Sequence, residues 1–254
     1  MGLSLLMFFH SCSNKKHTNP DVTNETVSGQ NDGDQVLKLT KAINKSPEEA
    51  QLYFKRAKLY IEEDKLLLAE KDLKKAAGLD QDNTEYLHLL ANVHFDLTNV
   101  KAAIKDYEKS IQVNPESEKP YLELGRIYLY QAKPKECIEN LNKALRRNKY
   151  NPETYALKAS YYLQMKDTAR ALSNLATSIE VDPGYFNSYV DLGYLYSLRA
   201  DPRGIIYYSN ALNIDPASTS VLYNRAKLYQ DIDSLNKAIE DYKTILNIEP
   251  EHKS

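Results

Sequence analysis

The chain has 254 residues, with 33 basic against 35 acidic side chains, a formal charge of -2 and a pI near 6.2. That balance leaves no global basic field, which excludes nucleic acid as a partner held by overall charge. Its 20 tyrosines against five phenylalanines and no tryptophan fit structural columns that take a large ring with a polar tip better than a base-stacking platform in a chain with no net basic charge.

The first element in chain order runs from Leu3 to Phe9, an apolar stretch too short to span a bilayer and of the length of a signal-peptide core. It leads into Ser11-Cys12-Ser13, which resembles the lipobox of bacterial lipoproteins, with Phe9 and His10 departing from the usual pattern. The resemblance implies cleavage before Cys12 and acyl chains on that residue. Two alternatives are N-myristoylation at Gly2, disfavoured by Leu6 where that motif wants Ser or Thr, and a plain buried apolar N-terminus. Residues 13–34 are almost entirely Asn, Lys, Thr, Ser, Gly, Asp and Gln, a composition that cannot bury a core and reads as a tether. Such a tether spans on the order of 25 Å. We expect a signal peptide over 1–11 and a lipidated cysteine with a flexible tether over 12–34.

From residue 50 onward the chain repeats itself about every 34 residues. Tyr53, Arg56-Ala57, Tyr60, Ala69, Leu73 and Ala76 are answered by Leu87, Leu90-Ala91, His94, Ala103, Tyr107 and Ser110, and then by Tyr121, Leu124-Gly125, Tyr128, Cys137, Leu141 and Ala144. Three more copies follow, marked by Ala159, Gly193 and Ala226 and by Ala171, Gly204 and Ala238. This pattern resembles the tetratricopeptide repeat family. The resemblance implies an all-α, right-handed superhelical solenoid of helix-turn-helix repeats, with six copies at 50–83, 84–117, 118–151, 152–185, 186–218 and 219–252 and a half-repeat cap over 35–49. Gln81 and Lys149 stand where the family has a closing proline, and the fifth copy is one residue short before Gly204, with Asp201-Pro202 in its inner turn.

The residue types make sense without the family name. Apolar residues recur at three and four, as amphipathic helices require. Small residues such as Ala57 and Gly125 let two helices approach closely, and Pro115, Pro183, Pro216 and Pro250 stop second helices because proline cannot continue the hydrogen-bond ladder. One hairpin cannot bury its apolar face alone, whereas stacked neighbours can.

Motifs for catalysis are missing: the sequence has no phosphate-binding GxxxxGK, no GxGxxG, no HExxH, no CxxC and no GxSxG. Of the five histidines, His88 and His94 are six apart on one predicted helix, about 240° around its axis, a poor arrangement for a single metal. Cys137 takes a column held elsewhere by alanine and reads as a small buried residue. We therefore expect no enzyme, no cofactor and no metal.

Function then falls to surface. In this family the first helix of each repeat lines a groove that holds partner peptides or helices, which by register assigns Phe54, Lys58, His88, Asn92, Lys119, Leu122, Arg126, Ala156, Ser160, Val190, Tyr194, Tyr223 and Lys227 to the groove. The family's carboxylate clamp needs a Lys and an Asn one turn apart in the first repeat, where Phe54 and Lys58 stand instead. Its lysines and Arg126 would meet acidic groups, and its Leu, Val and Tyr residues would supply apolar contact. Ile239, Leu246 and Ile248 of the last repeat are expected to stay uncovered and to pair with a second copy of the chain or another protein. The expected whole is a non-enzymatic adaptor, lipid-anchored in a bacterial cell envelope and facing periplasm or cell surface. The rival is a cytosolic, co-chaperone-like adaptor without the anchor.

Overall fold

A computed structural model describes residues 28–250, with side chains from Gly33, so Cys12 and the apolar run before it lie outside the described residues. The described residues form thirteen helices and no strand. Helix α1 (Ser28–Lys45) leads into six hairpins: α2 (Ala50–Glu62) with α3 (Leu66–Leu79), α4 (Thr84–Asp96) with α5 (Val100–Val113), and α6 (Lys119–Tyr130) with α7 (Pro134–Arg147). The rest are α8 (Pro152–Gln164) with α9 (Thr168–Val181), α10 (Phe186–Ser197) with α11 (Arg203–Ile214), and α12 (Thr219–Asp231) with α13 (Leu235–Ile248).

Helix α1 begins inside the stretch read as tether, so residues 28–34 are helical and the boundary at 34 is corrected. Once a helix is nucleated, each added residue costs little, and the Asp34–Lys38 pair at 2.7 Å supports this end. Ile43 of α1 is buried in one core cluster with Tyr53, Phe54 and Ala57, and the Tyr53 hydroxyl donates to the Pro47 carbonyl at 3.0 Å. Helix α1 thus covers the first hairpin as a preceding second helix would.

Two columns of small residues set the spacing within each hairpin. Ala57, Ala91, Gly125, Ala159, Gly193 and Ala226 on first helices, and Ala69, Ala103, Cys137, Ala171, Gly204 and Ala238 on second helices, are all buried. The approach is close enough that a methyl group at Gly193 would lie 2.5 Å from the Tyr208 ring. Burial pushes the Cys137 thiol up to about 12, which leaves it an inert packing group.

The inner turns share one backbone solution. Asp64, Thr98, Ala132, Lys166, Ala200 and Asp233 adopt left-handed φ angles between 49° and 59°. In the second hairpin, for instance, the Thr98 N–H donates to the Phe95 carbonyl and the Asn99 N–H to the His94 carbonyl, each at 2.8 Å, closing the first helix with a Schellman motif. None of the six is glycine, the residue that takes this conformation without strain. Packing of the two helices therefore imposes the turn against local preference.

The outer turns are built from side chains. Asn114, Asn148, Asp182 and Asp215 each accept from the backbone N–H two residues on, at 2.8 to 3.2 Å. Because Asn148 makes this contact, the turn survives with Lys149 in place of proline. Asn83 and Asn151 then cap the first helices that follow these turns, while Asp167 caps the second helix α9 from an inner turn.

The fifth hairpin absorbs its missing residue at Gly204, where a methyl group would sit 2.9 Å from the Gly193 carbonyl oxygen. Asp201 closes the shortened turn by accepting from the Arg203 backbone N–H at 3.0 Å, and Arg203's side chain and backbone together hold its carboxyl down at about 2.

Candidate partner groove

The first helices lie side by side, with direct contact between α6 and α8 and between α10 and α12. Large apolar residues on the facing sides close the seams between them. Phe54 is only 3 % exposed, with its ring 4.8 Å from that of Tyr86 in the next repeat, and Leu122, 5 % exposed, sits in a cluster that Leu157 and Tyr161 of the following repeat pack against. Both were expected to face a partner; both are core. A neighbouring first helix bulky enough to reach them takes them out of water.

Arg126 is also corrected. Its Nε donates to Glu123 at 3.0 Å, and an Nη donates to Glu153 of the next repeat. Burial works against the Arg126 charge, but the two carboxylates override it and hold its pKa above the ordinary guanidinium range. Glu123 is pushed up by its own burial, opposed by Arg126 and reinforced by Glu153 and Asp96. The mid-groove arginine is therefore not a free cation for a partner's acid. Glu123 was legible as an i−3 pair, while Glu153 lies 27 residues on and only the stacking brings it there.

The remaining groove residues differ along its length. Lys58, Lys119 and Lys227 are exposed, with the Lys58 ammonium 5.6 Å over the Phe54 ring. His88 packs edge-on to Tyr107 with ring centroids 5.4 Å apart; burial, helped by Lys119, depresses its pKa to about 4, and its Nδ1 has no hydrogen-bond partner. Asn92 accepts from the Tyr107 hydroxyl, and the half-buried Ser160 donates to the Ala156 carbonyl at 3.2 Å. Val190 is half-buried, and Tyr194 and Tyr223 are 44 % and 53 % exposed. Ile239, Leu246 and Ile248 on α13 are exposed too.

Beside the groove, His94 bridges two repeats: Nδ1 meets Asp106 at 2.6 Å and Nε2 meets Glu70 at 3.2 Å. Among the described residues no group of three or more His, Cys, Asp or Glu side chains is placed to hold a metal ion, and no helix is long and apolar enough to cross a membrane.

The model of the tetratricopeptide repeat matches residues 50–83, 84–117, 119–151, 152–185 and 219–252, the small-residue columns described above. The chain belongs to the tetratricopeptide repeat family. The matches leave out the shortened fifth copy, which nonetheless folds as the hairpin α10–α11.

Relatives include the human mitochondrial import receptor subunit TOM70, 24% identical over 224 residues, covering 82% of this chain and 36% of that one. Hsp70-Hsp90 organizing protein 1 of Glycine max is 23% identical over 188 residues, covering 69% and 32%. Human protein O-mannosyl-transferase TMTC3 is 24% identical over 214 residues, and this chain spans only 20% of it. The chain thus covers well under two thirds of these relatives' lengths.

Among solved structures, a tetratricopeptide repeat protein from Parabacteroides merdae superposes with a TM-score of 0.66 at 17% identity, covering 87% of this chain and 89% of that one. YrrB, described as a repeat protein with an unusual peptide-binding site, gives 0.51 at 24% identity, covering 72% and 95%. These likenesses show the fold.

Proposed function

We propose that this protein is an adaptor that holds an extended segment of a partner protein along its first helices. The observation that carries the reading is the run of exposed Lys58, Lys119, Tyr194, Tyr223 and Lys227 on successive first helices, whose backbones are fixed by core on the opposite side. Relatives named as an import receptor and a chaperone organizer support it. Capture of partners from the native membrane fraction tests it. Lys58→Glu with Tyr194→Ala and Tyr223→Ala should abolish specific capture while helicity and melting stay unchanged, because these side chains touch little core. Equal loss from Lys101→Glu with Lys105→Glu, on a second helix, would overturn it.

The reading includes a place in the cell. Ser11-Cys12-Ser13 after a short apolar run supports a lipid anchor at Cys12 in a bacterial envelope. Acyl chains stabilise membrane attachment by about 0.8 kcal/mol per buried CH₂, so several are needed. Cys12→Ala should release the protein from membranes. Unchanged fractionation, with no acylated N-terminal peptide by mass spectrometry, would favour the cytosolic adaptor. A second copy of the chain is the proposed cover for Ile239, Leu246 and Ile248; sedimentation of Ile239→Glu with Leu246→Glu, against a wild type that is dimeric, checks that.

A further inference from the structure

Three tyrosines share one register position on second helices: Tyr107 on α5, Tyr208 on α11 and Tyr242 on α13. Two of them send their hydroxyls to an acceptor on the first helix of their own hairpin. Tyr107 donates to Asn92, and Tyr242 donates to Gln230 at 2.9 Å. In the fifth hairpin the register positions of those acceptors hold Tyr194 and Ser197; Ser197 lies near enough to pull the Tyr208 pKa down a little against burial, but without the geometry of a hydrogen bond. The Tyr208 side chain is wholly buried and its hydroxyl has no hydrogen-bond partner. The nearby Ser197 hydroxyl donates instead to the Tyr194 carbonyl at 2.8 Å. Burial raises the Tyr208 pKa, so the group is a neutral phenol with a proton to give.

This unsatisfied donor lies under the most aromatic part of the groove. Tyr194 stands beside it on α10, with Leu198 exposed one turn on, and Tyr223 is exposed on the adjoining α12. Apolar walls with one placed polar group below are the composition of a site that anchors a ligand. The Asp191 carboxylate also acts on Tyr208. A negative charge there disfavours an anionic acceptor and leaves a neutral carbonyl as the matching group.

The geometry points to repeats 5 and 6 as the anchoring subsite for an extended, uncharged peptide segment of the partner. An aliphatic or aromatic side chain of that segment packs against Tyr194 and Tyr223. Its main-chain carbonyl accepts the Tyr208 hydroxyl proton as a hydrogen bond once the Tyr194 side chain turns aside. The inference rests on the groove reading above and narrows it to one end and one chemistry.

The test uses peptides selected from a random display library against the whole purified chain, with affinities measured by fluorescence anisotropy. Selected peptides should share an uncharged apolar position. Tyr208→Phe should weaken them roughly three- to tenfold without lowering the melting temperature, since it removes an unpaired buried hydroxyl. Tyr194→Ala and Tyr223→Ala should each weaken them more than tenfold. Peptides that lose affinity with Lys58→Glu but ignore all three tyrosine changes would overturn this subsite and leave the groove standing. Failure to select any peptide, or binding indifferent to every one of these variants, would overturn both.

Discussion

Arg225 on α12 grips Asp241 on α13 through two hydrogen bonds of 2.9 and 2.7 Å, and its third nitrogen donates to Ser209 of the preceding repeat at 2.9 Å. Arg56 repeats the arrangement at the other end of the molecule, with Asp72 at 2.7 and 2.8 Å and Thr40 on α1 at 2.9 Å. Each fork spans its own hairpin and reaches back one helix. Between the two ends, the same register position holds Leu90, Leu124, Lys158 and Leu192.

Breaking one fork should therefore loosen one end and leave the middle intact, because units in a solenoid are stabilised by their immediate neighbours. Asp241→Asn leaves a mostly buried guanidinium half-satisfied and should cost about 2–4 kcal/mol. Hydrogen exchange should speed up in α12 and α13 with α4 to α7 unchanged. Arg225→Leu with Asp241→Ala, which restores the apolar form of the column, should recover most of the loss.

Lys158 occupies the fork position in the fourth repeat without the acid. Burial depresses its pKa, and its hydrogen-bond partner is the Asn142 side chain at 3.1 Å. The residue in register with Asp72 and Asp241 is Asn174. Lys158→Arg with Asn174→Asp should rebuild the fork and stabilise the chain by about 1 kcal/mol, with each single change giving less. Chemical denaturation of the four proteins gives the coupling directly.

The inner turns offer stability that the chain does not use. Thr98 is β-branched and sits at φ 59°, where an L-residue costs about 1–2 kcal/mol. Thr98→Gly removes that strain and gives part of it back as unfolded-state entropy, for a net gain of about 0.5–1 kcal/mol. The same change at Thr177, partly exposed in the interior of α9, should instead destabilise, by a few tenths of a kcal/mol up to about 1 kcal/mol. Melting curves of the two variants should move in opposite directions.

His88 sets a pH dependence. Its pKa is about 4 in the fold against 6.5 unfolded, so the unfolded chain binds the proton first as pH falls. The stability it contributes is fully present above pH 6.5 and is lost progressively down to about pH 4. Between pH 7 and 5 the loss should be roughly 2 kcal/mol, one pH unit being worth up to ~1.4 kcal/mol. His88→Gln should flatten this part of the stability profile relative to wild type, and parallel profiles would show that His88 is not the group responsible.

The repeat was legible because the Ala57 and Ala69 columns recur with every copy and serve one purpose, close helix approach. The turns were not, because the usual signal for a left-handed residue is glycine and this chain uses Asp, Thr, Ala and Lys there. Groove membership could be read from register, but availability could not. Phe54 and Tyr223 hold the same position, yet one is buried under Tyr86 and the other stands in water. What decides is whether a following first helix lies over the position, as α4 lies over Phe54 and as none does over α12 among the described residues, and that is a property of the stack. Arg126 failed for the same reason, since Glu153 reaches it only across a repeat boundary.

Gly204 also fixes what the shortened turn tolerates. With one residue fewer in the turn, a methyl group at position 204 would lie 2.9 Å from the Gly193 carbonyl oxygen and 2.7 Å from the Leu228 side chain. The other five repeats carry alanine or cysteine in this column. The missing residue has therefore narrowed one column from small to smallest, and a side chain of any kind there would force the two helices of that hairpin apart.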